Sequence, residues 1–223
     1  MVAEKIGLDA DIRKYLPEMP QYRAPITVAM LLHHTSGIRD MLELGVYAGY
    51  ETAGSVSRAE SLKLVMTQPD TNFVPGSQFR YSNSGYLLLS EIVERASGVP
   101  FAVYMKENVF APMGMKRTMV LTGARTTEPN AAHGYIPDGS GFKLADTHPL
   151  YGGAGGAVST INDLAKYDHD INVTHKVWTP AIAKIMLAPG TLTDGTAAAN
   201  SGAVYAGGLS LNGPWIKIGR AHV

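Results

Sequence analysis

Phe73-Val74-Pro75-Gly76-Ser77-Gln78-Phe79-Arg80-Tyr81-Ser82-Asn83-Ser84-Gly85-Tyr86-Leu87-Leu88-Leu89 decides the reading of this chain. Pro75-Gly76 is turn chemistry, and the apolar run that follows is helical. The spacing predicts a helix over Gly85 to Ala96, with Gly98 as its stop and Pro100 as the next start. Between turn and helix lie a phenol, a hydroxyl and a carboxamide in succession, Tyr81-Ser82-Asn83. A phenol is a proton carrier, and a carboxamide donates and accepts hydrogen bonds at once. With an unperturbed pKa near 10, a phenol acts as a base at neutral pH only beside a cation or a lysine that shares its proton. The plainer reading is a turn before a helix, with Ser82 or Asn83 near the N-cap.

Working outward, Leu8 to Leu16 reads as a short helix or turn ending at Pro17. Thr27 is an N-cap for Val28 to His34, a helix expected to stop near Gly37. Ser57-Arg58-Ala59-Glu60 is a capping box for a helix ending before Pro69. Phe101 to Val109 continues on a helical period to Pro112, and Thr118 to Lys143 reads as loop with one or two short strands. Gly152-Gly153-Ala154-Gly155-Gly156 lets backbone pass close to another element. Thr160 and Thr179-Pro180 open two more helices, and Tyr205 to Leu211 reads as one strand.

Composition narrows the function. The 223 residues carry 19 basic and 19 acidic side chains and no dense basic stretch, which disfavours nucleic acid and anionic membrane as partners. No apolar run approaches bilayer length, and Met1 to Lys5 does not read as a signal peptide. Without cysteine there is neither a disulfide nor a thiolate metal site. His33 and His34 are adjacent and point about 100° apart on a helix, so they do not share one ion. The glycine run lacks the Lys-Ser/Thr of a phosphate loop. No cofactor or metal is implied.

Six motifs follow one another in order: His34-Thr35-Ser36-Gly37, Phe73-Val74-Pro75-Gly76, Tyr81-Ser82-Asn83, Ser97-Gly98-Val99-Pro100-Phe101, Pro112-Met113-Gly114-Met115-Lys116-Arg117-Thr118, and Gly155-Gly156-Ala157-Val158-Ser159-Thr160 with Asp163-Leu164-Ala165. In this order the chain resembles the class C β-lactamase-like serine hydrolases, a family of β-lactamases, D-alanyl-D-alanine carboxypeptidases and esterases. The resemblance spans about residues 5 to 213. It implies an α/β, penicillin-binding-protein-like fold, a mostly helical region beside an incomplete antiparallel sheet. It implies that Tyr81 is the catalytic general base and acid and that Asn83 contacts substrate. His34 and Ser36 read as structural, and the glycines around Gly155 as packing. The implied partner is a small-molecule or peptide substrate and the implied location is periplasmic or extracellular; oligomeric state stays open.

Two departures matter. The family nucleophile lies in Ser-x-x-Lys ahead of the His-Thr-Ser-Gly segment, where the lysine lowers the cost of deprotonating the serine. None of the 33 residues before His34 is serine. The one formal match, Ser140-Gly141-Phe142-Lys143, follows Tyr81 and sits among glycines that do not hold a helix; no Gly-x-Ser-x-Gly elbow exists. Lys217-Ile218-Gly219 stands where the family's third motif, Lys-Thr-Gly or His-x-Gly, is expected. However, Ile218 to Val223 is the translation of ATC GGA AGA GCA CAC GTC, which matches a common sequencing adapter. The expectation is therefore a partial hydrolase domain over 1–217 and adapter translation over 218–223; in-frame natural DNA for the last six residues at the source locus refutes it. A chain lacking these parts is expected to be inactive and aggregation-prone by itself. The competing class is a non-catalytic protein binding cell-wall peptide or another acyl ligand on the same fold.

Overall fold

The computed structural model describes residues 6–50, 56–122, 132–145, 152–200, 202–212 and 215–218. Helices dominate the first half: α1 (Val28–Leu32), α2 (Met41–Tyr47), α3 (Arg58–Met66), α4 (Asn83–Ser97) and α5 (Phe101–Met105). A π-helical turn, Lys106–Phe110, extends α5. Later come α6 (Ile161–His169), extended by a second π-helical turn at Asp170–Thr174, and α7 (Pro180–Met186). Side-chain caps start most of them as the sequence predicts. Thr27 accepts from Met30 N, Thr160 from Asp163 N and Thr179 from Ile182 N. Ser57 and Glu60 close a reciprocal capping box. Among the described residues no helix is long and apolar enough to cross a membrane.

α4 is the central helix. Leu87 and Leu88 are wholly buried and Ile92 nearly so, packed against Leu31 of α1, Met41 of α2 and Val65 of α3. Ile12, Leu16, Met19, Ile26, Val28 and Ile38 complete this core. On its other side α4 meets the glycine run: a Cβ at Gly153 would lie 2.4 Å from the Tyr86 carbonyl oxygen. That close approach is what the glycines provide. A helix enclosed on so many sides needs small or self-satisfied polar residues, and Ser90 donates its hydroxyl to Leu87 O at 2.7 Å.

The strands are short and all their pairings are antiparallel. β1 (Met119–Val120) pairs with β4 (Ala157–Val158), and β2 (Tyr135–Asp138) pairs with β3 (Gly141–Leu144) as an exposed hairpin. β5 (Ala199–Asn200), β6 (Ala203–Tyr205), β7 (Leu209–Asn212) and β8 (Trp215–Ile218) form a four-stranded meander in sequence order. A second core of Phe110, Met113, Met115, Trp178 and Leu209 lies between α5 to α7 and β7.

Two expectations are corrected, and one helix is added. The helix capped by Thr27 ends at Leu32 instead of near Gly37, because His34 turns the backbone into the left-handed region at φ +56°. The single strand expected over Tyr205 to Leu211 is two, broken by a turn at Gly207-Gly208 in which Ala206 N donates to Leu209 O. Helix α2 is additional to the sequence reading: Asp40 and Glu43 signal its start, but Gly45 within it and Gly49 after it interrupt the helical pattern.

Candidate active site

The site is built on the end of α1. His33 caps the helix, His34 takes the left-handed position and Thr35 N donates back to Met30 O at 2.9 Å. With His34 N reaching Leu31 O, this is a Schellman closure with histidine where glycine is usual. A left-handed L-residue costs about 1–2 kcal/mol, and the imidazole's surroundings offset that cost. Its Nδ1 accepts from Ser82 N at 3.3 Å, which leaves Nε2 protonated to donate to the Tyr205 hydroxyl at 2.9 Å. The rings of Tyr81, Tyr205, Tyr86 and Phe79 surround it at centroid distances of 4.4 to 6.0 Å. Burial first, and His33 second, hold this imidazole down at about 4, so it is neutral at pH 7.

The chain before Tyr81 is laid against the segment after His34. Asn72 N donates to Gly37 O at 2.8 Å, Gly76 N to Thr35 O at 2.7 Å and Arg80 N to His34 O at 3.0 Å. Gly37, at φ +73°, admits no side chain, since a Cβ there would stand 2.7 Å from Phe73 O. These contacts deliver Tyr81 to the N-terminus of α4.

Tyr81 is 55 % exposed, with its ring on His34 at 4.4 Å and its hydroxyl donating to Asn83 Oδ1 at 3.4 Å. Partial burial first, and the Asp40 charge second, push the phenol up from its usual value. The hydroxyl is therefore a proton donor at neutral pH, and it becomes a base only when a cation joins it. Asn83 is the first residue of α4, and Ser82 stands at its N-cap without capping it through its side chain. Asp40 takes that part. Its Oδ2 accepts from Asn83 N at 2.5 Å and from Asn83 Nδ2 at 2.9 Å, while Oδ1 accepts from Leu42 N at 2.8 Å. One carboxylate thus serves the N-termini of α2 and α4, where negative charge is favoured.

The structure brings Tyr81 and Asn83 together and sets His34 beneath them. Sequence reasoning missed Asp40 and Tyr205. Asp40 followed by Glu43 has the form of a capping signal and marked α2; nothing local marked Tyr205. Ser140 and Lys143 lie on the exposed β2–β3 hairpin, so that Ser-x-x-Lys spacing is not helical. Lys217 stands opposite Ser210 on β8, and Gly219 lies outside the described residues.

The Beta-lactamase family model matches residues 1–217. The chain is 30% identical over 175 residues to a D-aminopeptidase of Cereibacter sphaeroides, a match covering 78% of this chain and 33% of the relative. It is 31% identical over 136 residues to penicillin-binding protein 4* of Bacillus subtilis, covering 60% and 30%. The crystal structure of a penicillin-binding protein from Bacillus halodurans superimposes with a TM-score of 0.75 at 25% identity, covering 94% of this chain and 62% of that one. The chain thus spans about a third of the length of these curated relatives. Both the sequence match and the shared architecture say that this chain belongs to the β-lactamase family.

Proposed function

We propose that the chain carries the proton-transfer and substrate-orienting half of a serine hydrolase that opens an amide or ester through an acyl-enzyme. The observation that carries this is the Tyr81 hydroxyl facing the Asn83 carboxamide at the start of α4. In this reading a serine outside these 223 residues attacks the carbonyl. Tyr81 takes the serine proton when a lysine outside them lowers the phenol, then passes it to the leaving group. Asn83 holds the acyl side chain by hydrogen bonds. The raised phenol fits this division of labour, because among the described residues burial and the Asp40 carboxylate push Tyr81 up and no cation offsets them. The relatives' names favour the amide of a D-amino acid or short peptide over other acyl compounds.

The test compares the 223-residue chain with a longer product of the same locus that includes a Ser-x-x-Lys segment. D-alanine p-nitroanilide, an acetyl ester and a chromogenic cephalosporin serve as substrates. The short chain is expected to show no turnover. In the long one, Tyr81→Phe is expected to lower kcat by about 10²–10⁴-fold. Equal rates for Tyr81→Phe and the parent remove Tyr81 from the chemistry; turnover by the short chain overturns the external nucleophile. Binding of acyl ligands by a long product without hydrolysis turns the reading into a binding protein on the same fold.

A further inference from the structure

We infer that Asp40 is the positioning residue of this site: its carboxylate sets which way the Asn83 carboxamide faces, and so what that amide offers to a reacting molecule. This rests on the reading of Tyr81 and Asn83 as site residues. A carboxylate only accepts hydrogen bonds. The Asn83 side-chain atom 2.9 Å from Asp40 Oδ2 is therefore the amide nitrogen, by chemistry as well as by placement. Turning the amide over would set two acceptors against each other beside a carboxylate that is only 9% exposed. One orientation survives. Oδ1 faces the Tyr81 hydroxyl, and Nδ2 keeps one N–H for an incoming carbonyl.

Asp40 cannot swing away to release this arrangement. Its other oxygen is held by Leu42 N at the start of α2. The oxygen that orients the amide also takes the first backbone N–H of α4, which the Ser82 side chain leaves uncapped. The amide, the helix start and α2 thus share one carboxylate. Nearby, Ser84 Oγ donates to Arg39 O at 2.7 Å, so the segment ahead of Asp40 is tied to α4 as well. Asp40 lies behind Asn83 and acts through it, without touching a substrate itself.

The test reads the amide directly, by ¹⁵N NMR of the longer product used in the hydrolysis test. In the unmodified protein the two Asn83 Nδ2 protons should be widely split, one of them protected from exchange. Asp40→Asn keeps the shape but puts a donor where an acceptor is needed. Asn83 backbone and side-chain protons should then exchange about 10–100-fold faster, the loss of one hydrogen bond to a charged group. Leu87, Leu88 and Ile92 amides should stay protected. A merely structural role for Asp40 would loosen all of α4 together and overturn the proposal, as would unmoved Asn83 signals. If Asp40→Asn does not fold, Asp40→Ser keeps a cap for α2 but falls short of Asn83, and the same loss is expected. An averaged, rapidly exchanging Asn83 side chain in the unmodified protein sinks the idea without any variant. No turnover enters these readouts, so a failed hydrolysis test leaves them standing.

Discussion

The two cores of this molecule are defended against water in different ways. The first, around α1 to α4, buries twelve apolar residues at 4% exposure or less and encloses the neutral imidazole of His34 beside them. The second has five buried apolar residues and leans on two ionised carboxylates. Asp163 accepts from Arg117 N, the Thr118 hydroxyl and Lys166. Asp170 accepts from the Thr174 hydroxyl and from Lys176, Val177 and Trp178 N, wrapping the chain around Trp178. In the first region a large apolar core surrounds neutral His34, several buried hydroxyls and the Asp40 carboxylate; in the second, where apolar area is scarcer, charge-assisted hydrogen bonds to backbone hold the turns. The site stands on the first kind of ground, which suits side chains that must keep their geometry.

The difference has a pH signature. Burial favours the neutral form of both kinds of group, so it lowers His34 and opposes the ionisation of Asp170. For Asp170 burial is outweighed by the Thr174 hydroxyl and three backbone N–H groups, leaving it at about 2. His34 takes its proton near 6.5 when unfolded and near 4 when folded. In that interval the unfolded chain holds more protons, so the His34 contribution is whole above 6.5 and drains away as pH falls toward 4. The Asp170 contribution is whole above its unfolded value of 3.8 and drains only toward 2. On acidification the site region should therefore lose exchange protection at Thr35 and Ser82 before Lys176 to Trp178 loses any. Simultaneous loss at both would show a single cooperative unit.

The sharpest way to break the comparison is Leu88→Ala, which empties the first core and should cost about 2–5 kcal/mol in denaturant unfolding. Asp170→Ala strands four donors and should cost about 2–4 kcal/mol, with lost protection confined to the second core. If it instead loosens α4, the two regions are not separately defended. Gly153→Ala drives a methyl into the Tyr86 carbonyl and should cost about 1–3 kcal/mol, read as a lower Tm. His34→Asn, which tolerates the left-handed backbone, should cost about 1 kcal/mol at pH 7. Its value is diagnostic: the slope of stability between pH 6.5 and 4 should flatten, and an unchanged slope would move that titration to His33, which burial also lowers.

Much of this was legible residue by residue. Thr27, Ser57, Thr160 and Thr179 announced their helices because a cap is a contact within three residues. Gly98 announced the end of α4, at φ +77°. The glycine run announced a close approach, though not that its partner is Tyr86. His34 escaped a local reading, because its left-handed backbone is stabilised by Ser82 and Tyr205, 48 and 171 residues away.

The sequence by itself determined the helical caps, the place of Tyr81 and Asn83 at the head of an apolar helix, and the family. Those depend on residue type and short spacing, which a linear chain displays. Only the tertiary structure decided that Asp40, 43 residues before Asn83, orients its amide, and that the Tyr81 phenol is pushed up in this chain. A carboxylate's effect depends on distance and burial, and folding alone sets both.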